Sequence, residues 1–168
     1  MARFQTNYIS DQQSSSALSI DGSLKFDSAA SNHLVRTPSA AGNRRTWTWS
    51  AWVKRNRIGF TQELLASGTN VDSAIELIEI SSSNKIEFYS YNGSYGYNIV
   101  PSRLFRDTGW FHLVAALDTT LSTTSDRFKI YINGERVTDF ATSDYPSQNF
   151  ESHFFNTTNP HNIGYQLS

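Results

Sequence analysis

The chain has 168 residues, enough for one compact domain that folds without covalent staples. Its formal net charge is −1, so it carries no basic field for a nucleic-acid backbone. It contains no cysteine, which excludes a disulfide framework and any thiolate metal site and fits folding in a reducing compartment. No apolar run approaches the ~18 residues of a membrane span, so membrane insertion is not expected. Hydrophobic residues are 38% of the chain and aromatics 14%, so much of the apolar volume is rings, which suits strands better than helices.

Residues 1–17 read as an N-terminal extended arm. Asp11-Gln12-Gln13-Ser14-Ser15-Ser16 has neither helical nor strand periodicity, while Phe4, Tyr8 and Ile9 are apolar anchors. The arm is therefore either a disordered terminus or a docking segment for another subunit. The first residues have no apolar leader core, and the expectation is a chain without a secretory leader.

From residue 18 strand signals take over. Leu24-Lys25-Phe26 alternates and His33-Leu34-Val35 follows. In the stretch 46–54, Trp47, Trp49, Ala51 and Val53 share one face and Thr46, Thr48, Ser50, Trp52 and Lys54 the other. The first face is the core face, and Trp52 points away from it. Short strands follow at 63–66, 74–80 and 85–91; Asn92-Gly93 is a hairpin turn, and 95–100 returns from it. The run from Trp110 to Leu117 is nearly continuously apolar, which predicts a central strand covered on both faces with Trp110 in the core. A strand at 127–132 leads into Asn133-Gly134, a second hairpin turn. Residues 139–160 read as a long polar loop. Short strands at short spacing with turn dipeptides between them predict an all-β, two-sheet antiparallel sandwich over 18–168.

Few residues present themselves for chemistry. Glu76 and Glu79 are the best carboxylate pair, but a spacing of three puts them on opposite strand faces, as solvent-facing charges; Glu87 stands alone on its strand. No nucleophile elbow is present. Asp72, Asp118 and Asp126 are weak calcium candidates, since calcium needs six to eight oxygens and loop acids also cap turns. The chain is otherwise expected to need no cofactor and to be non-enzymatic. Tyr89, Tyr91, Tyr95 and Tyr97 cluster about the Asn92-Gly93 turn, and with Asn98 they form a candidate glycan site, because sugar rings stack on aromatic faces. Half-buried strand packing explains the same tyrosines.

Five segments in order resemble laminin-G-like members of the concanavalin A superfamily: Leu24-Lys25-Phe26-Asp27, Trp49-Ser50-Ala51-Trp52-Val53-Lys54, Leu64-Leu65-Ala66-Ser67-Gly68, Gly109-Trp110-Phe111-His112-Leu113-Val114 and Ile130-Tyr131-Ile132-Asn133-Gly134-Glu135. The resemblance implies a concanavalin A-like jelly roll and places His112 as a buried, hydrogen-bonded histidine. The family continues beyond Asn162-Ile163-Gly164 into one more strand, which this sequence lacks. Residues 37–48, with Tyr145-Pro146-Ser147-Gln148-Asn149, are similar to laminin-G-like domains of tailed-bacteriophage virion proteins. That similarity implies a structural protein of the virion (tail fibre, capsid decoration or head fibre), assembled in the host bacterial cytoplasm. Its implied partners are other virion proteins, further copies of itself and host surface polysaccharide. The alternatives are a free-standing carbohydrate-binding module or adhesin and, less favoured, a glycoside hydrolase.

Overall fold

The structure is a computed structural model that describes residues 22–26, 32–70 and 73–165. The arm with Phe4, Tyr8 and Ile9, and also Asp72, lie outside the described residues.

Eleven strands are described: β1 (Leu34–Arg36), β2 (Thr46–Lys54), β3 (Gln62–Asn70), β4 (Ala74–Ile80), β5 (Ile86–Asn92), β6 (Tyr95–Pro101), β7 (Trp110–Asp118), β8 (Phe128–Ile132), β9 (Glu135–Arg136), β10 (Phe140–Asp144) and β11 (His161–Ile163). They form a seven-stranded sheet in the order β1-β11-β3-β4-β5-β6-β10 and a four-stranded sheet in the order β2-β7-β8-β9. Every pairing is antiparallel. The predicted all-β two-sheet sandwich is the observed architecture. Among the described residues no helix is long and apolar enough to cross a membrane.

Alternation along the strands builds the core. Ile78, Ile80, Ile86, Phe88, Tyr97 and Ile99 of the large sheet meet Phe111, Leu113, Ala115, Leu117, Phe128, Ile130 and Ile132 of the small one. Burying each large side chain stabilises the fold by about 1.5–3 kcal/mol. Trp47 and Trp49 face inward as expected, and Trp47 packs edge-on against Phe128 and Phe155 at 6.0 and 5.5 Å between ring centroids. At Asn133-Gly134 both residues have positive φ (53° and 84°), which gives the tight turn that returns β8 into β9.

Strand β7 corrects two expectations. Only its Phe111, Leu113, Ala115 and Leu117 face the core. Trp110 lies on the outer face and is 49% exposed, with the Lys54 ammonium 5.9 Å from its ring. His112 shares that face rather than being buried: it stacks on exposed Trp52 at 5.2 Å and bonds the Ser50 hydroxyl at 2.8 Å. The apolar run continues through β7 because Val114 and Ala116 are half-covered by neighbouring side chains, without a third layer.

The 139–160 segment is also more than a polar loop. It contributes β10 and then folds inward, burying Ser152, Phe154 and Phe155. Glu76, expected at the surface, is fully buried on the inner face and holds this segment. Its Oε2 accepts from the backbone N–H groups of Phe154 (2.7 Å) and Phe155 (2.8 Å), and its Oε1 accepts from the Tyr97 hydroxyl (2.8 Å). Burial pushes the Glu76 carboxyl upward, opposed by these hydrogen bonds. Trp47 Nε1 donates to Ser152 Oγ at 2.7 Å, so the same segment ties β2 of the small sheet to β4 of the large one.

Candidate functional site

The β5–β6 hairpin sets three tyrosines on the outer face of the seven-stranded sheet. Tyr89 lies directly opposite Asn98, and Tyr91 opposite Tyr95. The Tyr91 and Tyr95 rings are 4.9 Å apart and the Tyr89 and Tyr95 rings 6.1 Å, the latter nearly perpendicular. Tyr95 is 57% exposed; Tyr89, Tyr91 and Asn98 are half-buried. Four of the five predicted residues therefore share one surface.

Tyr97 does not join them. Simple alternation puts residues 95 and 97 on one face, but the register shifts here: Ser90 pairs with Tyr97 and Tyr91 with Tyr95. The bulge at Gly96 turns Tyr97 into the core, where it is 1% exposed and bonded to Glu76. Burial, then the Glu76 charge, raises its hydroxyl pKa well above the usual value. Gly96 is required at this point, because a Cβ there would overlap the Phe150 ring.

Beneath the tyrosines, Ile75 and Leu77 stand opposite Tyr91 and Tyr89 and form with Ala66 a small apolar cluster. Next along the same face, Glu63 of β3, Glu79 of β4 and Glu87 of β5 stand directly opposite one another. Directly opposed residues have Cβ atoms about 4.5–5.5 Å apart. Glu79 is 9% exposed, and its carboxylate makes no hydrogen bond or ion pair among the described residues. Its carboxyl is pushed from 4.5 to about 7, first by burial and then by the charges of Glu63 and Glu87. Burial also raises Glu63, whose Oε1 is buried without a hydrogen-bond partner. The row was invisible in the sequence, because Glu87 is alone on its strand and acquires its neighbours only through register. Alternation about Glu79 was the available signal; pairing supplied the rest.

Of the calcium candidates, the two among the described residues, Asp118 and Asp126, each have other partners. Asp118 Oδ1 accepts from the backbone N–H (3.1 Å) and hydroxyl (2.6 Å) of Thr120, a turn cap. Asp126 pairs with Arg136 at 3.0 Å and Lys129 at 3.5 Å, and the Arg136 hydrogen bond first of all holds its carboxyl below the usual range. Among the described residues no group of three acidic or histidine side chains is placed to hold a metal ion.

The fold has relatives. The chain is similar to a native heptameric SAP-like pentraxin from Limulus polyphemus, at 15% identity and a TM-score of 0.50, over 81% of this chain and 58% of the pentraxin chain. The chain thus spans little more than half the length of that relative. It is also similar to the CBM40 of the Ruminococcus gnavus IT-sialidase, at 12% identity and a TM-score of 0.45, over 80% of this chain and 94% of that one. These likenesses concern the fold alone. No curated protein matches the sequence. The family model described as the concanavalin A-like lectin/glucanases superfamily matches residues 27–166, nearly the whole sandwich, and the chain belongs to that family.

Proposed function

We propose that this chain is a non-enzymatic glycan-contacting sandwich displayed on a bacteriophage virion, where it binds host surface polysaccharide through the outer face of its seven-stranded sheet. The observation that carries the glycan reading is the Tyr89, Tyr91 and Tyr95 cluster beside Asn98. Tyrosine rings offer faces and edges for sugar C–H groups, and the Asn98 amide and the glutamate row offer partners for hydroxyls. The virion context is supported by the resemblance of residues 37–48 to phage particle domains, together with the laminin-G-like fold.

A glycan array probed with the protein and with Tyr95→Ala tests the binding reading. Bound polysaccharide should be retained by the wild type and lost or weakened at least tenfold in Tyr95→Ala. An array without hits at concentrations that reveal millimolar affinity refutes it. Mass spectrometry of purified particles tests the virion placement, which fails if the chain is absent from them.

A second reading rests on Glu63, Glu79 and Glu87. Neighbouring members of the row are directly opposed across strands, glycoside hydrolases use a pair of nearby carboxyl groups, and Glu79 is raised as a general acid must be. Release of reducing ends from a bound polysaccharide, abolished in Glu79→Gln, would replace the non-enzymatic reading. Binding without release supports it.

A further inference from the structure

Strands β2, β4 and β6 finish, and β3, β5 and β7 begin, at one end of the sandwich, where the loops 55–61, 81–85 and 102–109 lie together. Arg55 fastens these loops to one another. It is 1% exposed, and its Nη1 donates to Asn84 Oδ1 at 2.9 Å and to Phe105 O at 2.6 Å. Its Nη2 donates to Phe60 O at 3.3 Å and its Nε to Gln62 Oε1 at 3.1 Å. Asn84 completes the joint: its Oδ1 also accepts from Gly59 N–H at 3.1 Å, and its carbonyl accepts from Phe105 N–H at 2.8 Å. A guanidinium bonded in several directions at once holds its neighbours in one arrangement. None of its four acceptors is a carboxylate, so the positive charge stays in place beneath the loop tips.

The tips above it mix cations with apolar groups. Together with Lys54, the three loops hold six of the fourteen basic residues of the chain, Lys54, Arg55, Arg57, Lys85, Arg103 and Arg106, against one acid, Asp107. Lys54, Arg57, Arg103 and Arg106 are exposed. Interleaved with them are Ile58, Phe60, Leu104 and Trp110, each 40–49% exposed. Cation and ring come in pairs: the Arg57 guanidinium lies 3.2 Å from the Phe60 ring centre and that of Arg103 5.1 Å from Phe105, beside Lys54 on Trp110. The ion pairs among the described residues are made by Glu151 and Asp126, away from this end. Glu135 and Asp139 border the Arg103 side, where the Asp139 carboxylate accepts from the Ser102 hydroxyl. The glutamate row is carried on the outer face of the large sheet and projects across the strands, not past their ends.

We propose that this end of the sandwich docks on an anionic lipid bilayer: Ile58, Phe60 and Leu104 enter the interfacial layer, and Lys54, Arg57, Arg103 and Arg106 meet the phosphates. An acidic polysaccharide would complement the cations but leave the aliphatic tips in water. A bilayer surface offers phosphate and hydrocarbon side by side, the mixture that these loops display. Arginine bonds phosphate through two N–H groups at once, and tryptophan and long cationic side chains settle where headgroups meet acyl chains. The loops are already fastened by Arg55, so little ordering is lost on docking. Three shallow apolar tips make the contact peripheral and reversible. It stands independently of the glycan reading, since the Asn92-Gly93 hairpin and its tyrosines lie at the opposite end of β5 and β6.

Vesicle co-sedimentation tests the proposal. The protein should pellet with vesicles of phosphatidylcholine and phosphatidylglycerol in equal parts and stay in the supernatant with phosphatidylcholine alone. Arg57→Gln and Arg103→Gln should each weaken the binding about fivefold, the effect of one cation at an anionic surface. The double variant Ile58→Ser/Leu104→Ser should weaken it about tenfold with an unchanged circular dichroism spectrum, because both side chains stand at the surface. Tyr95→Ala should bind vesicles as the wild type does, so failure of the glycan reading leaves this result intact. A wild type that stays in the supernatant with the anionic vesicles overturns the proposal. Binding that Ile58→Ser/Leu104→Ser retains in full also overturns it, and assigns the end to an acidic polymer held by the cations alone.

Discussion

Replacing Glu79 with glutamine tests whether the glutamate row is strained. Glu79 is 9% exposed and faces Glu63 on one side and Glu87 on the other. Its carboxyl rises from 4.5 to about 7, because burial and two like charges penalise the ionised form. The folded state therefore holds this proton more tightly than the unfolded state does. The stability that the protonated form contributes is fully present below about 4.5 and is lost as the pH rises toward about 7. At about 1.4 kcal/mol per pH unit the interval corresponds to about 3 kcal/mol. The row titrates as a coupled group, so part of this effect stays with Glu63 and Glu87, and about 2 kcal/mol is expected for Glu79 alone. Glu79→Gln keeps the neutral form at every pH. Its stability should match the wild type near pH 4 and exceed it by about 2 kcal/mol near pH 8. Urea denaturation in steps across that range reads the difference as a midpoint gap of about 1 M, for a slope of about 2 kcal/mol/M. Midpoints that run parallel, with a gap that does not open as the pH rises, would refute the reasoning.

Other perturbations address the core and the bulge. Glu76→Ala leaves the Phe154 and Phe155 N–H groups and the Tyr97 hydroxyl without their acceptor, and should cost about 3–5 kcal/mol by urea denaturation. Gly96→Ala drives a methyl group into the Phe150 ring and to 3.1 Å from His153 Cε1, and should lower stability by about 1–3 kcal/mol. His161 Nε2 accepts from Asn156 N–H at 3.0 Å, while its Nδ1 lies 2.8 Å from Asn159 O, so the ring is neutral with its proton on Nδ1. Burial lowers its pKa below 6.5, so its contribution to stability is present above that value and lost as the pH falls; an NMR titration should place its midpoint below 6.5, with the Nδ1–H tautomer above it.

Period-two patterning by itself determined the sandwich. Each strand buries one face, so alternation in residues 46–54 assigns Trp47 and Trp49 inward and Trp52 outward before any partner strand is known. The Asn-Gly turns were equally readable, because positive φ is a local demand of the backbone. What depended on pairing could not be read. Tyr95 and Tyr97 have the same phase in the sequence, and only the bulge at Gly96 separates them into a surface ring and a core ring. Trp110 sits in an apolar run that looks covered on both sides, yet the four-stranded sheet has nothing stacked on its outer face among the described residues. Glu63, Glu79 and Glu87 are distant in sequence, and register alone makes them neighbours. Alternation is a property of one strand, whereas a site on a sheet is built across several, through hydrogen bonds between residues that the chain itself keeps far apart.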